Sequence, residues 1–527
     1  MRNISTCGQL AASRAATQPD ATFYFYNSRR FSYKEVNWAA NRVANGLTKL
    51  GIAKGHNICL LLGNSMEHIY TWYALMKLSA VIVPVNIQMG AEQVAHIVNN
   101  CETSLLIAEP ATLPLVEAIV HATPAVKTLV LCGEAPAQPV AGLKTVAFTE
   151  LLRGNPDEPH VEVAETDLAC ILYTSGTTGA PKGVMLSHEY FLAGGELYTA
   201  RLAATSKDVF YTTLPLYHIM GCVLGMLGPL TCGGAALLAE KFSASRYWEL
   251  ARRHGATCAS ITGTQTNYLF QQPPKPDDGD NPLRLISSFP VPVEIGNEFE
   301  TRFNVKLGGI YGLTEALLPI MSKYDDLYKM GALGTATDYD VRIADDADNE
   351  LPPNEAGNLL VRPQQDSRRV FDGYYKMPEA TLGMIAHCWF HTGDVGYKDE
   401  DGFIWFASRK KDVIRFRGEN VSASHVESFI GAHEAVAECA IIGVPAATGE
   451  EDIKAVVCLK TGHSMAPDAL LDYCANRMSW FMVPRYVEFT DKLPRTATDK
   501  IEKFKLKHDW DNSATWDREA EGYQVKK

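Results

Sequence analysis

Between residues 34 and 50, apolar Val36, Ala39, Val43, Leu47 and Leu50 fall on one face of a helix, and an apolar run at 58–62 follows within a few residues. The pattern predicts a helix leading into a strand. It repeats through strand-like 80–85, a polar helix near 91–100, strand-like 104–108, another helix, and strand-like 128–132. Strands rich in Val, Ile and Leu on both faces, separated by helices, predict a mostly parallel sheet covered by helices.

After about residue 400 the texture changes. An acidic turn, Asp399-Glu400-Asp401-Gly402, precedes an apolar stretch at 403–406, and the basic cluster Arg409-Lys410-Lys411 follows. Beyond it the pattern predicts a helix near 424–433, strands at 440–444 and 453–459, a helix near 468–480 and a strand at 486–489. These elements predict a second, small α+β domain of roughly one hundred residues. The polar stretch from Asp509 onward is expected to be loosely held.

Composition narrows the class. The chain has 527 residues, 46% hydrophobic and 21% charged, which is long enough for more than one domain and supplies a core for each. A net charge of −12 disfavours any broad grip on nucleic acid or anionic lipid, so no nucleic-acid partner is expected. Twelve cysteines, with no CxxC pair and no Cys/His cluster at metal-ligand spacing, read as reduced, mostly buried thiols of a cytoplasmic protein. The residues after Met1 lack the long apolar core of a signal peptide, so secretion is not expected. One uncharged stretch, 219–239, is long enough to cross a bilayer, but Gly228-Pro229 and Gly233-Gly234 break it. It predicts a buried helix followed by a buried strand, and no transmembrane segment.

The most informative segment, 173–188, reads YTSGTTGAPKGVMLSH and follows strand-like 168–172. Thr174, Ser175, Thr177 and Thr178 supply hydroxyls, Gly176, Gly179 and Gly183 permit close backbone approach, and Lys182 adds a positive charge. Such a loop can cradle phosphates through backbone N–H groups and hydroxyls. It is not a P-loop, because Pro181 occupies the place of the glycine before the lysine. A generic Gly/Ser/Thr loop would be read as a solvated turn. The full string instead resembles the signature loop of the adenylate-forming superfamily, which includes acyl-CoA synthetases, firefly-type luciferases and peptide-synthetase adenylation domains.

Further motifs of that superfamily recur in order. LPLYHIMG from Leu214 resembles the motif whose aromatic or histidine side chain gates the acyl pocket, which implies Tyr217 and His218. Tyr311-Gly312-Leu313-Thr314-Glu315 is similar to the YGxTE motif: Tyr311 would stack on adenine, Thr314 would hydrogen-bond the α-phosphate, and Glu315 would help hold Mg²⁺. Thr392-Gly393-Asp394 resembles the TGD motif, in which Asp394 binds the ribose hydroxyls of ATP. Ser408-Arg409-Lys410-Lys411-Asp412 resembles the GRxKD segment, with Arg409 reaching the ribose, Lys411 at the hinge, and Ser408 in place of glycine. Pro494–Ile501 resembles PRTxTGKI and makes Lys500 the catalytic lysine. Asp499 stands where glycine is usual, and a carboxylate there would weaken the lysine's field. Relatives carry Gly-Gly-Ala-Pro where this chain has Ser287-Ser288-Phe289-Pro290, so Ser288 and Phe289 would face the nucleotide, and the bulk of Phe289 would narrow the acyl or the adenine pocket.

The resemblance covers essentially the whole chain and implies an α/β fold. A large N-terminal domain, 1–408, would hold helix-covered, mostly parallel sheets and a β-barrel-like subdomain. A hinge at 409–412 would lead to a small mobile α+β domain, 413–527, carrying Lys500. ATP, Mg²⁺ and CoA are the implied cofactors, and a carboxylic acid the substrate. The acid attacks the α-phosphorus, pyrophosphate leaves, the small domain swings, and the CoA thiol takes the acyl group as AMP departs. Arg417, Gly418 and Glu419 would border the CoA tunnel. Gly221, Thr264 and Gly309 join Tyr217 and His218 as acyl-pocket candidates, and the resemblance implies that Gly309 would also face the nucleotide. No protein nucleophile is required. The segment from Arg417 to Ser422 followed by His425-Val426-Glu427 looks closest to crotonobetaine/carnitine-CoA ligase-like members, which favours a short or medium polar acid, with aromatic acids open. Competing readings are an adenylation enzyme loading a carrier protein, a luciferase-like oxygenase and a nucleotide-binding module without turnover. A homodimer stays open.

Overall fold

The computed structural model describes residues 4–133, 140, 142–174, 181–324, 328–364, 370–409, 412–416, 419–446, 451–495 and 501–525. The chain divides into two compact units: 1–291, 298–340 and 361–388 form the first, and 292–297, 341–360 and 389–527 the second.

In the first unit the predicted helix appears as Tyr33–Lys49, started by a reciprocal capping box between Ser32 and Glu35. Its buried face is Val36, Ala40, Val43, Ala44 and Leu47, while Ala39 and Leu50 are half-exposed. The buried stripe is therefore turned slightly from the one the spacing predicts. The strands Asn57–Leu61, Val81–Pro84, Leu105–Ala108 and Thr128–Leu131 all pair in parallel, as their two-sided apolar runs require. They belong to a seven-stranded sheet that ends in the antiparallel pair Leu168–Thr174 and Lys182–Ser187. A nine-stranded sheet has a parallel centre of Thr22–Tyr26, Ala235–Leu238, Val209–Thr212, Cys258–Thr262, Leu285–Phe289 and Lys306–Tyr311.

The apolar stretch 219–239 is interior to this unit. Short helical pieces run to Cys232, Gly233 closes them with φ of 78°, and Ala235–Leu238 enters the sheet fully buried. Among the described residues, no helix is long and apolar enough to cross a membrane.

The second unit contains a four-stranded sheet, ordered Val436–Pro445, Glu451–Leu459, Tyr486–Phe489 and Trp516–Asp517. Helices Ala423–Gly431 and Pro467–Ala475 bury Val426, Ile430, Leu470 and Leu471 against Ile441, Ile453, Ala455 and Val457 of that sheet. Upstream, Trp389–Lys398 pairs antiparallel with Ile404–Arg409.

The stretch after Asp509 is not loosely held. Lys454 is 1% exposed, and its ammonium donates to Glu488 Oε2, to the carbonyl of Trp510 at 2.6 Å and to Thr515 Oγ1 at 2.7 Å. Asp517 accepts two hydrogen bonds from Arg485, and buried Arg518 donates to the carbonyls of Val483 and Pro484. A buried cation must be satisfied by acceptors, and the tail supplies them. Polar composition alone hid this.

Candidate active site

The hairpin of Leu168–Thr174 and Lys182–Ser187 keeps Thr174 opposite Lys182 at its open end. Gly183 allows the two strands to close: a Cβ there would lie 2.7 Å from Ile171 Cγ2 and 3.0 Å from the Tyr173 ring. Ser175, Gly176, Thr177, Thr178 and Gly179 lie outside the described residues.

The irregular segment around Phe371–Tyr375 runs along the same hairpin. Met185 N–H donates to the Gly373 carbonyl, Asp372 N–H to that of Met185 and Tyr375 N–H to that of Gly183. Tyr374 is buried; its hydroxyl donates to Glu315 Oε1 at 2.7 Å, and the Lys182 ammonium lies 5.0 Å from its ring centroid. Burial, and then the Glu315 carboxylate, push the Tyr374 phenol far above its ordinary pKa, so it remains a donor.

Strand Lys306–Tyr311 delivers the next group. Gly309 exchanges hydrogen bonds with Ser322, and a Cβ at Gly309 would sit 2.1 Å from the Ala332 carbonyl oxygen. At Gly312 it would sit 2.9 Å from Leu318 N. Both glycines are therefore accounted for by close backbone packing. Tyr311 is buried with its ring edge-on to Phe289, centroids 5.7 Å apart. The Thr314 carbonyl accepts from Tyr190 Oη at 2.8 Å, and the Glu315 carbonyl accepts from Phe371 N at 3.0 Å. Thr314 and Glu315 are thus fixed through their backbone. Ser288 is buried, paired with Thr266 Oγ1 at 3.0 Å and donating to the Pro290 carbonyl.

On the acyl-motif side, His218 caps the short helix Ile219–Cys222 by accepting from Met220 N through Nδ1. Tyr217 is half-buried, and burial raises its phenol pKa. The turn is held by buried Asn64, which accepts from Leu216 N and donates to the carbonyls of Leu214 and Ala239. Gly221 fits under the Pro215 carbonyl, where a Cβ would come within 2.0 Å. Thr264 is exposed at the start of helix Gly263–Phe270.

In the second unit, Asp394 is 8% exposed and sits opposite Arg409 in the strand pair. Its N–H donates to Thr392 Oγ1, whose own hydroxyl donates to the Leu359 carbonyl. Glu419 faces Phe416 across a two-stranded hairpin. Ser422 caps helix Ala423–Gly431 and also donates to the Ala407 carbonyl. Lys411, Arg417, Gly418 and Lys500 lie outside the described residues.

Sequence reading did not single out Tyr374, Tyr190, Asn64 or Ser322. None belongs to a charged cluster or a periodic face, and each matters only through a partner far along the chain.

Two stretches of the chain match family models. Residues 11–375 match the AMP-binding enzyme model and residues 425–500 match the AMP-binding enzyme C-terminal domain. Among curated proteins, the crotonobetaine/carnitine–CoA ligases of Salmonella paratyphi C and Salmonella typhimurium are 33% identical over 487 residues, covering 91% of this chain and 93% of theirs. Among solved structures, an anthranilate CoA ligase in complex with anthranoyl-AMP superposes with a TM-score of 0.86 at 26% identity, covering 95% of this chain and 96% of that one. ATP-bound MatB from Rhodopseudomonas palustris gives 0.83 at 26% identity, covering 96% and 99%. The chain belongs to the AMP-binding enzyme family, among its AMP-forming acid–thiol ligases.

Proposed function

We propose that the chain is a cytoplasmic ligase that converts a short, polar carboxylic acid of the betaine type into its CoA thioester at the expense of ATP. The observation that carries this reading is the 33% identity to crotonobetaine/carnitine–CoA ligases across 91% of the chain. The resemblance of the segment from Arg417 to Glu427 supports it.

The carboxylate oxygen attacks the α-phosphorus of ATP, forming acyl-AMP as the bond to pyrophosphate breaks. Thr314 and Lys500 offset charge on the α-phosphate oxygens, the hydroxyl-bearing loop and Lys182 hold the outer phosphates, and Tyr311 stacks on adenine. Asp394 and Arg409 hold the ribose. The small domain, 413–527, then turns about Lys411, withdraws Lys500 and presents Arg417, Gly418 and Glu419 to the pantetheine arm. The CoA thiol, losing its proton, attacks the acyl carbonyl, and AMP leaves with the electron pair of the broken anhydride bond. Tyr217 and His218 border the acyl group.

The residues present fit Mg²⁺. Glu315 offers one buried carboxylate anchored through Oε1, and no group of three or more acidic, His or Cys ligands occurs among the described residues. That suits a cation that takes most of its ligands from phosphates and water. When bound, it supplies charge neutralisation on the polyphosphate.

The test is acid-dependent pyrophosphate release across betaine-type, short, medium and aromatic acids, with and without CoA. CoA-stimulated release confined to betaine-type acids is expected. Release with aromatic acids alone would overturn the substrate assignment, and release indifferent to CoA would overturn the acceptor.

A further inference from the structure

Tyr374 has no role in the reaction described above, yet it touches both of the charged side chains that the first unit brings together. Its hydroxyl donates to Glu315 Oε1 at 2.7 Å, and its ring lies 5.0 Å from the Lys182 ammonium. We propose that Tyr374 is a positioning residue for adenylation. One side chain orients the carboxylate that would hold the cation on the phosphates and seats the lysine that would meet the phosphates directly. The inference rests on the role given to Glu315 under Proposed function.

The side chain is built to be rigid. It is 4% exposed, its backbone bridges Val184 of the hairpin that carries Lys182, and its N–H donates to Thr381 Oγ1 at 2.8 Å. Phe371 packs edge-on at 5.0 Å and donates its own N–H to the Glu315 carbonyl. Two contacts from one short segment therefore hold Glu315, one at the backbone and one at the carboxylate. With Oε1 engaged by a neutral donor, the orientation of Oε2 is set before any ligand arrives, and no reorganisation is needed on binding. A phenol suits this task better than a lysine or arginine. It fixes a carboxylate oxygen without cancelling the negative charge that a cation needs. Its electron-rich face meanwhile attracts the Lys182 ammonium, so the positive and negative groups stay near each other without pairing through that oxygen.

Phenylalanine at this position keeps the ring and removes the hydroxyl, whereas leucine removes both. The experiment measures equilibrium binding of ATP, without acid, to wild type, Y374F, Y374L and E315Q, in Mg²⁺ and in EDTA. Thermal melting of each variant establishes folding. Y374F should bind ATP as wild type does in EDTA but about ten- to a hundredfold more weakly in Mg²⁺, as expected for loss of a hydrogen bond to a charged group. Y374L should weaken binding in both conditions, because the lysine loses its seat. In turnover, half-saturating Mg²⁺ should rise for Y374F and kcat should recover at high Mg²⁺.

Wild-type affinity of Y374F in Mg²⁺, or an equal loss with and without Mg²⁺, would overturn the proposal. If E315Q leaves the Mg²⁺ dependence unchanged, the role of Glu315 falls and this inference with it. If E315Q shifts that dependence and Y374F does not, only the role of Tyr374 falls.

Discussion

Strand Lys306–Tyr311 of the first unit and strand Glu451–Leu459 of the second are both buried along most of their length, yet they meet their neighbours in opposite ways. The first does so by omission: Gly309 has no side chain because the Ala332 carbonyl occupies its place. The second does so by charge: Asp452 and Lys454 are 3% and 1% exposed, and Arg485, Glu488, Trp510 and Thr515 satisfy them. One arrangement cannot accept an added atom. The other cannot lose a partner, since an uncompensated buried charge costs far more than a missing methyl group.

The largest effect that would sharpen this contrast is functional. Lys500→Ala, in the second unit, should lower acyl-AMP formation about 10²- to 10³-fold, the scale for removing one group that stabilises developing charge. Thioester formation from supplied acyl-AMP should be nearly unchanged. Equal loss in both half-reactions would show that the unit does not divide its work between them.

Deletion of residues 509–527 removes two of the acceptors on Lys454 and the Asp517 partner of Arg485. It should cost about 3 kcal/mol or more in the second unit, read by calorimetry as a transition moving down while that of the first unit stays. An unmoved transition would mean the tail is dispensable.

Gly309→Ala should cost about 2 kcal/mol in the first unit and reduce ATP binding, because the strand must move to admit the methyl group. Gly431→Ala ends a helix of the second unit with nothing within 4 Å of the new Cβ, and should be neutral or slightly stabilising by urea unfolding. Equal costs would erase the distinction.

The effect confined to the narrowest range of conditions concerns acid. His68 and His188, both in the first unit, are fully buried, and burial lowers each pKa from 6.5 to about 4. Their folded forms resist protonation while the unfolded chain binds protons from about pH 6.5 downward. Their contribution to stability is therefore whole above pH 6.5 and falls as pH drops toward 4. Stability profiles of H68Q and H188Q should be flatter across that window than wild type, and parallel profiles would exclude these residues.

Much of the fold was legible. The predicted helices and strands between residues 34 and 131 appear in the predicted order, joined by the unpredicted helix Met66–Leu78, and the parallel pairing follows from strands that are apolar on both faces. The small domain's helices and strands also lie where periodicity places them, except that the helix expected near 468–480 ends at Ala475. The tail was misread because polar residues look alike whether they meet water or a buried lysine. For the site, motif spacing located Lys182 and Glu315 but could not connect them, since Tyr374 lies 59 positions from Glu315 and in no regular element.

The amino-acid sequence by itself determined the α/β class, the alternation of helices and strands and the family, because periodicity and motif spacing are local properties of the chain. Tertiary structure alone decided which glycines are required by packing, that Lys454 draws the C-terminal stretch onto the sheet, and that Tyr374 joins Glu315 to Lys182. Those outcomes depend on which distant segments come within hydrogen-bond reach, a property that no single stretch of sequence contains.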